Sequence, residues 1–426
     1  MTPPITPENV TRVPLDNGIV ILIKENHTNA SVSLRGRLRA GAMYDTDETS
    51  GLAQFTAAAL QRGTAKLTFQ KLNDTLDRAG MSFSVGAGTE SATFGGKSLV
   101  EDFDKLLNIA EQVLLHPTFP AREIERLRGQ FVTGLREAQQ DTRWVAHKNF
   151  RALCYPPGHP YHRTSDGTEA TVRGLERDQL AAFHDQYYRA DGALFVMVGD
   201  LSADNAVEKI RKRFGAWHQN ANIPFDIPAA NGRGAPLREA FAVAGKIQSD
   251  VVMGYPGIRR NDPDFYALRT ADLIFGQLGL SGRLGEVVRD KMGLAYYVYS
   301  GLDAGIGAGP WSISTGVNPR NVERAVEAIV AEIQRLRLDG VTQDELSHAQ
   351  DFLTGSLALR LETNEGVAAT LSDIEFYGLG LDYIQRYPEI IRSLTREQIH
   401  AAVAKHAHLE SAVTVIAGPM NGRNEG

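Results

Sequence analysis

The sequence predicts an α+β protein made of two homologous halves, each an antiparallel sheet flanked by helices. The first observation behind this is a repeat. TGLREAQQDTRWVA starts at Thr133 and TGSLALRLETNEGVA at Thr354, an offset of 221 residues. RGLERDQLAAFHDQYYRADGALFVMVGD from Arg173 matches RSLTREQIHAAVAKHAHLESAVTVIAGP from Arg392, an offset of 219. Two matches at nearly one offset indicate a duplicated unit. The second observation is the order of patterns within each copy, where strands and helices come in runs and do not alternate as βαβ units.

The elements of the first half follow from local chemistry. Val13–Ile23 contains Asp16-Asn17-Gly18, and Asn-Gly supplies the positive φ angles of a hairpin turn. Ser31–Arg39 alternates as a strand, and Ser82–Lys97 is a glycine-rich strand or hairpin. Helical periodicity marks Ser50–Gln61, Phe69–Ala79, Leu99–Leu115 and Ala121–Gln140. Trp217–Leu237 is rich in Asn, Pro and Gly, including Asn220, Asn222 and Asn231. The expected organisation is therefore an N-terminal domain over 1–218, a linker over 219–237 and a C-terminal domain over 238–426.

Composition narrows the function. The 426 residues carry 42% hydrophobic and 23% charged side chains, ordinary for a globular protein. The formal charge is −6 and no block of Lys or Arg interrupts the chain, which argues against nucleic-acid binding. One cysteine, Cys154, excludes an internal disulfide framework. No run of 18 apolar residues and no basic-then-apolar N-terminal pattern occurs. The expectation is a cytoplasmic protein, or a periplasmic one if a signal peptide has been removed.

At Gly51 the chain reads GLAQFTAAALQRGT. This resembles the pitrilysin/insulinase peptidases, which include the mitochondrial processing peptidases. Active members carry Gly-Leu-Ala-His-Phe-x-Glu-His there and close with Gly-Thr. Gly51, Leu52, Ala53, Phe55, Leu60, Gly63 and Thr64 keep the frame, but Gln54 and Ala58 stand at the two histidine positions and Ala57 at the glutamate. Histidines at i and i+4 share a helix face and can hold one zinc ion, and the glutamate activates its water. An amide and two methyl groups do neither. Glu137 lies near the family's third ligand, but followed by Asp141 it reads first as a solvated helix acid. His159-Pro-Tyr-His162 matches a loop the family carries regardless of metal. His147 and His184 sit singly on expected helices. No His-Glu-x-x-His, His-x-x-Glu-His, Cys-x-x-Cys, Gly-x-Ser-x-Gly or Walker pattern is present. The expectation is no metal and no catalytic residue in this chain alone.

The second half keeps what the first has lost. FGQLGLSGRLGEVVRDKMGLAYYVYSG, from Phe275 to Gly301, resembles the family's glycine-rich loop followed by Ser-x-Arg-Leu and Arg-x-Lys-x-Gly-Leu-Ala-Tyr. The resemblance implies that Arg289 and Tyr296 bind peptide and stabilise the reacting carbonyl near a metal. It makes Gly276, Gly279 and Gly282 candidate loop contacts. Active relatives also add peptide to an edge strand beside the zinc, which here would be Ser82–Ala92 with Gly86, Ala87 and Gly88 leaving room for a backbone. Taken without the resemblance, Ser281–Met292 is a helix with a core stripe of Leu284, Val287, Val288 and Met292, stopped by Gly293. Arg289 is then a surface arginine and Tyr296 a packed strand residue.

The resemblance runs from about Thr11 to the end. It implies a non-catalytic subunit of a heteromeric zinc metalloendopeptidase, partnered by a homologous chain with an intact His-x-x-Glu-His that holds the zinc. The alternatives are a structural subunit like the core proteins of a respiratory complex, and a peptide-binding homodimer without catalysis.

Overall fold

The computed structural model describes residues 5–219, 223–230 and 232–419. Asn220, Asn222 and Asn231 of the expected linker lie outside the described residues. The strands are β1 (Thr11–Pro14), β2 (Val20–Glu25), β3 (Ser31–Leu38), β4 (Ser82–Ala87), β5 (Ala92–Leu99), β6 (Leu194–Gly199), β7 (Leu237–Ala242), β8 (Ser249–Pro256), β9 (Ala295–Ala304), β10 (Ala308–Val317) and β11 (Val413–Gly418). The helices of the first half are α1 (Leu52–Ala59), α2 (Phe69–Arg78), α3 (Phe103–Leu115), α4 (Ala121–Ala138), α5 (Thr142–Cys154), α6 (Glu169–Gly174), α7 (Arg177–Tyr187) and α8 (Ala203–Phe214). Those of the second are α9 (Phe265–Asp272), α10 (Val322–Asp339), α11 (Gln343–Arg360), α12 (Asn364–Phe376), α13 (Tyr383–Arg392) and α14 (Arg396–His406).

The strands form two sheets, ordered β1-β2-β6-β3-β5-β4 and β7-β11-β8-β10-β9. Without β1 the two orders are the same: the last strand of each half enters beside the first, and β4 and β9 occupy equivalent edges. The duplication read from the sequence is thus repeated in topology. Each sheet contains one parallel pair, β2 with β6 and β7 with β11, because the last strand arrives after a long helical crossover. The other pairings are antiparallel. Central strands are apolar on both faces; all six residues of β6 are buried. In the β1–β2 hairpin only Gly18 takes a positive φ, at 86°. Asn17 instead turns its side-chain amide to the carbonyl of Phe214, 2.8 Å away, so the expected Asn-Gly turn geometry is not adopted.

The compact units change over between Phe225 and Asp226, inside the expected linker of 219–237, but neither unit is one continuous stretch. One unit comprises Met1–Thr133, Ser165–Phe225 and Ser356–Tyr387; the other comprises Gly134–Thr164, Asp226–Gly355 and Pro388–Gly426. Each half therefore keeps its own sheet and gives one helix to the other. Within the first unit, α12 packs on β3 and β6. Asn364 accepts from Asn26 at 2.7 Å, and Arg12 pairs with Glu375 at 2.7 Å. Within the second unit, α5 packs on β8 and β11. Thr142 donates to the buried carboxylate of Asp250, and so does Tyr297. Arg143 lies over the Tyr297 ring, its guanidinium carbon 4.0 Å from the centroid. The exchanged helices are the two copies of the repeat that starts at Thr133 and Thr354, and both are capped. Asp141 accepts from Arg143 N at 2.8 Å and Thr363 from Gly366 N at 3.0 Å.

Candidate functional site

The first unit holds the erased metal position. Gly51 enters α1 at φ 96°, a value that favours glycine. The carboxylate of Asp45 accepts from Gly51 N at 2.9 Å and Ala53 N at 3.0 Å, satisfying amides at the helix start. Phe55, Ala57 and Ala59 are wholly buried. The glutamate position is thus filled by a methyl group packed in the core, and Ala58 offers no ligand atom. Gln54 is committed elsewhere: its Oε1 accepts from the backbone N–H of Ala87 at 2.7 Å. Glu137 is exposed near the end of α4, among the residues of the other unit. The residues at the family's zinc position do not fit a zinc ion.

Among the described residues β4 pairs only with β5 and is an edge strand. Gly88 N donates to Ser91 O at 3.0 Å across the hairpin. Alternation along the ladder then turns the backbone groups of Phe83, Val85 and Ala87 outward. Gln54 takes the last of these three amides. A Cβ on Gly86 would meet only Gln54 Oε1 at 3.9 Å, and one on Gly88 only Ser91 O at 4.0 Å. A Cβ at either glycine would be in no more than ordinary van der Waals contact, whereas the Ala87 methyl is buried.

The second unit carries Arg289 and Tyr296. The segment expected as the helix Ser281–Met292 is a wider π-helix over Gly285–Lys291, and a second π-turn spans Leu273–Gln277. Close packing accompanies the distortion, since a Cβ on Gly285 would sit 1.9 Å from the Gly279 carbonyl oxygen. The wider winding keeps Leu284 and Val288 buried but leaves Met292 exposed, so the expected core stripe is incomplete. Gly293 ends the segment at φ 61°. Gly276 is small because a Cβ would lie 2.5 Å from Ser300 N; Gly279 has φ 61° with open space, and Gly282 would be crowded by Ile274 O at 3.3 Å.

Arg289 is exposed and has no acceptor among the described residues. Tyr296 is 60% exposed on β9, the edge of its sheet, so it is not a packed strand residue. Leu280, Met292 and Tyr299 are exposed in the same segment. This is a run of uncovered apolar and aromatic side chains of the type found at contact surfaces. Neighbouring motif residues are structural: Arg283 is held bidentate by Glu345 at 2.6 and 2.7 Å and donates to Gly340 O at 2.8 Å.

Sequence reasoning did not single out Asp272, whose carboxylate is wholly buried at the end of α9. It accepts from Trp311 Nε1 at 2.9 Å, Leu302 N at 3.2 Å and Gln277 Nε2 at 2.5 Å. Burial raises its pKa against these donors. It ties the π-turn to β9 and β10.

Comparison with known proteins agrees with this geometry. A model of the insulinase family, peptidase family M16, matches residues 20–156, and one of the peptidase M16 inactive domain matches residues 174–353. This chain belongs to peptidase family M16. A peptidase M16 inactive domain from Pseudomonas fluorescens is 28% identical, over 96% of this chain and 98% of that one, with a TM-score of 0.90. A protease from Helicobacter pylori shares the fold at 19% identity and a TM-score of 0.89, over 96% and 99% of the two chains. A protein named an uncharacterized zinc protease in Bacillus subtilis is 23% identical over 361 residues, 83% of this chain and 85% of its own length. The inactive-domain model covers the part of the chain that carries Arg289 and Tyr296, while Gln54, Ala57 and Ala58 stand at the metal positions of the part matched by the insulinase model. No helix among the described residues is long and apolar enough to cross a membrane.

The remaining candidates of this M16 chain have structural roles. His159 Nδ1 accepts from Tyr161 N at 3.1 Å while its Nε2 faces Pro228 O at 3.1 Å. His162 donates to Tyr155 O at 2.9 Å and His184 to Leu114 O at 2.8 Å, and His147 shares a 3.1 Å hydrogen bond with Ser314. Cys154 is buried, which pushes its thiol up to about 12 and leaves it unreactive. Burial also lowers the pKa of His147, His159 and His184. The folded state therefore favours the neutral rings. Their contribution to stability is present above the unfolded value of about 6.5 and is lost as pH falls through and below it. The thermal midpoint is expected to drop between pH 7.5 and pH 5.5. A midpoint that is flat or rising over that interval would contradict the buried, neutral assignment.

Proposed function

We propose that this chain is the zinc-free subunit of a two-chain M16 endopeptidase, in which a homologous partner with an intact His-x-x-Glu-His holds the metal. The observation that carries the reading is the contrast between the units. The metal position is packed with alanine, while Arg289 and Tyr296 stand exposed and without a hydrogen-bond partner among the described residues, beside an uncovered apolar segment. In this reading Arg289 donates to the carbonyl or carboxylate of a bound peptide, and the Tyr296 hydroxyl donates to the oxyanion that develops at the scissile carbonyl. The partner supplies the metal and its water. The β4 edge, with its outward amides at Phe83 and Val85, accepts an extended peptide as an added strand, and Gln54 closes that strand at Ala87.

The test is metal content together with assembly. Purified alone, the chain is expected to carry no stoichiometric zinc after mild chelation, because an amide and two methyl groups form no closed site. Mixed with its zinc-bearing relative it should elute as one complex holding one zinc per pair. One tightly held zinc on the isolated chain, or no complex with that relative, would overturn the proposal.

A further inference from the structure

The open face of the first sheet carries a second recognition element beside the β4 edge. Side chains alternate along a strand, so Ser33, Arg35 and Arg37 of β3 share this face. In the pairing register Arg35 lies opposite Gly95 of β5, and Gly95 lies opposite Ser84 of β4. Helix α12 covers only part of the face. Arg37 reaches Asp373 at 2.5 Å and stacks over Phe376 at 4.2 Å, and Lys97 pairs with Glu365 at 2.6 Å. Arg35 has no such partner. Its Nε, like that of Arg37, is buried without an acceptor, but no carboxylate pairs with its guanidinium among the described residues. It lines a pocket of about 450 Å³ with Ser33, Ser82, Ser84, Thr93 and Gly86, and the Lys97–Glu365 ion pair, its charges mutually neutralised, lines the same pocket. None of those four hydroxyl groups bonds to another described residue.

The geometry points to a carboxylate-binding subsite at Arg35, which takes a glutamate side chain of the peptide that pairs with β4. A buried Nε lacking an acceptor is costly, and a planar carboxylate satisfies it together with a terminal nitrogen through two parallel hydrogen bonds. The hydroxyls add further donors for the same group. Gly95 leaves the first step toward the edge bare, and Ser84, the next residue across, offers a hydroxyl on the way. A strand added to β4 lies three strand spacings from β3, about 14 Å. An extended arginine and an extended glutamate joined by one hydrogen bond span about that distance. Aspartate, one methylene shorter, falls short. The subsite rests on the β4-edge reading above, because that reading supplies the peptide backbone.

The experiment uses the full chain and two fluorescein-labelled extended peptides that differ only in one central Glu or Gln. The Glu peptide is expected to bind about tenfold tighter or more. Arg35→Met should erase that preference while leaving the affinity for the Gln peptide unchanged. Equal affinities for wild type, or a preference that survives Arg35→Met, would overturn the subsite while the edge reading stands. If neither peptide binds, the β4-edge reading falls, and with it the glutamate assignment. A glutarate titration at fixed ionic strength then examines the carboxylate site alone. Saturable thermal stabilisation of wild type but not of Arg35→Met supports it, and the same response in both proteins overturns it.

Discussion

Tyr296→Phe is expected to lower kcat/KM of the proposed two-chain enzyme by about 10²–10³-fold, the loss seen when one donor to a developing oxyanion is removed, since it deletes the hydroxyl and keeps the ring. Arg289→Ala should cost about 10–10²-fold, the worth of a charged hydrogen bond to the bound peptide. Neither change should move the thermal midpoint of this chain. Arg289 is exposed and bonded to nothing among the described residues, and Tyr296 is 60% exposed, so truncation leaves no cavity and no orphaned partner. Surface substitutions of this kind change stability by less than about 0.5 kcal/mol. Steady-state kinetics and a melting curve on the same preparations separate the roles. Activity near wild type in both variants would make Arg289 and Tyr296 ordinary surface residues. A large fall in midpoint would make them structural.

Asp272→Ala is expected to give the largest loss of stability, about 3 kcal/mol. It strips acceptors from two buried donors, Trp311 Nε1 and Leu302 N, and each unsatisfied group costs roughly 1–3 kcal/mol. Asp272→Asn keeps one side-chain oxygen and the volume, so it should recover part of the loss. Denaturant unfolding of the two variants measures the difference. If Asp272→Ala unfolded at the wild-type midpoint, Asp272 would not be the hub that ties the Leu273–Gln277 turn to β9 and β10.

Much of the fold was legible because the duplication is written twice, once as sequence and once as strand order. The segments from Arg173 and Arg392 contain β6 and β11, which take equivalent places in the two sheets. The exchange of α5 and α12 was not legible. Helical periodicity shows that a face is buried but not against which sheet, and the deciding contacts, such as Thr142 with Asp250 and Asn364 with Asn26, are distant in sequence. The π-winding around Arg289 escaped for a related reason. It coincides with the close approach of Gly285 to the Gly279 carbonyl, and no residue period encodes that. At the metal position the substitutions alone carried the conclusion. What they could not reveal is that Gln54 holds the end of β4 through Ala87, because that depends on where the edge strand lies. The absence of a carboxylate beside Arg35 was equally hidden: Arg37, on the same face, looks the same in sequence, yet its terminal nitrogen reaches Asp373.

The most direct test is cleavage of a quenched peptide library by this chain alone, by its relative with the intact His-x-x-Glu-His motif alone, and by the two together. The account predicts no hydrolysis above blank for this chain and a large gain when the two are mixed, with most of the gain lost on Arg289→Ala. Hydrolysis by this chain on its own, or a mixture no more active than the relative alone, would contradict it.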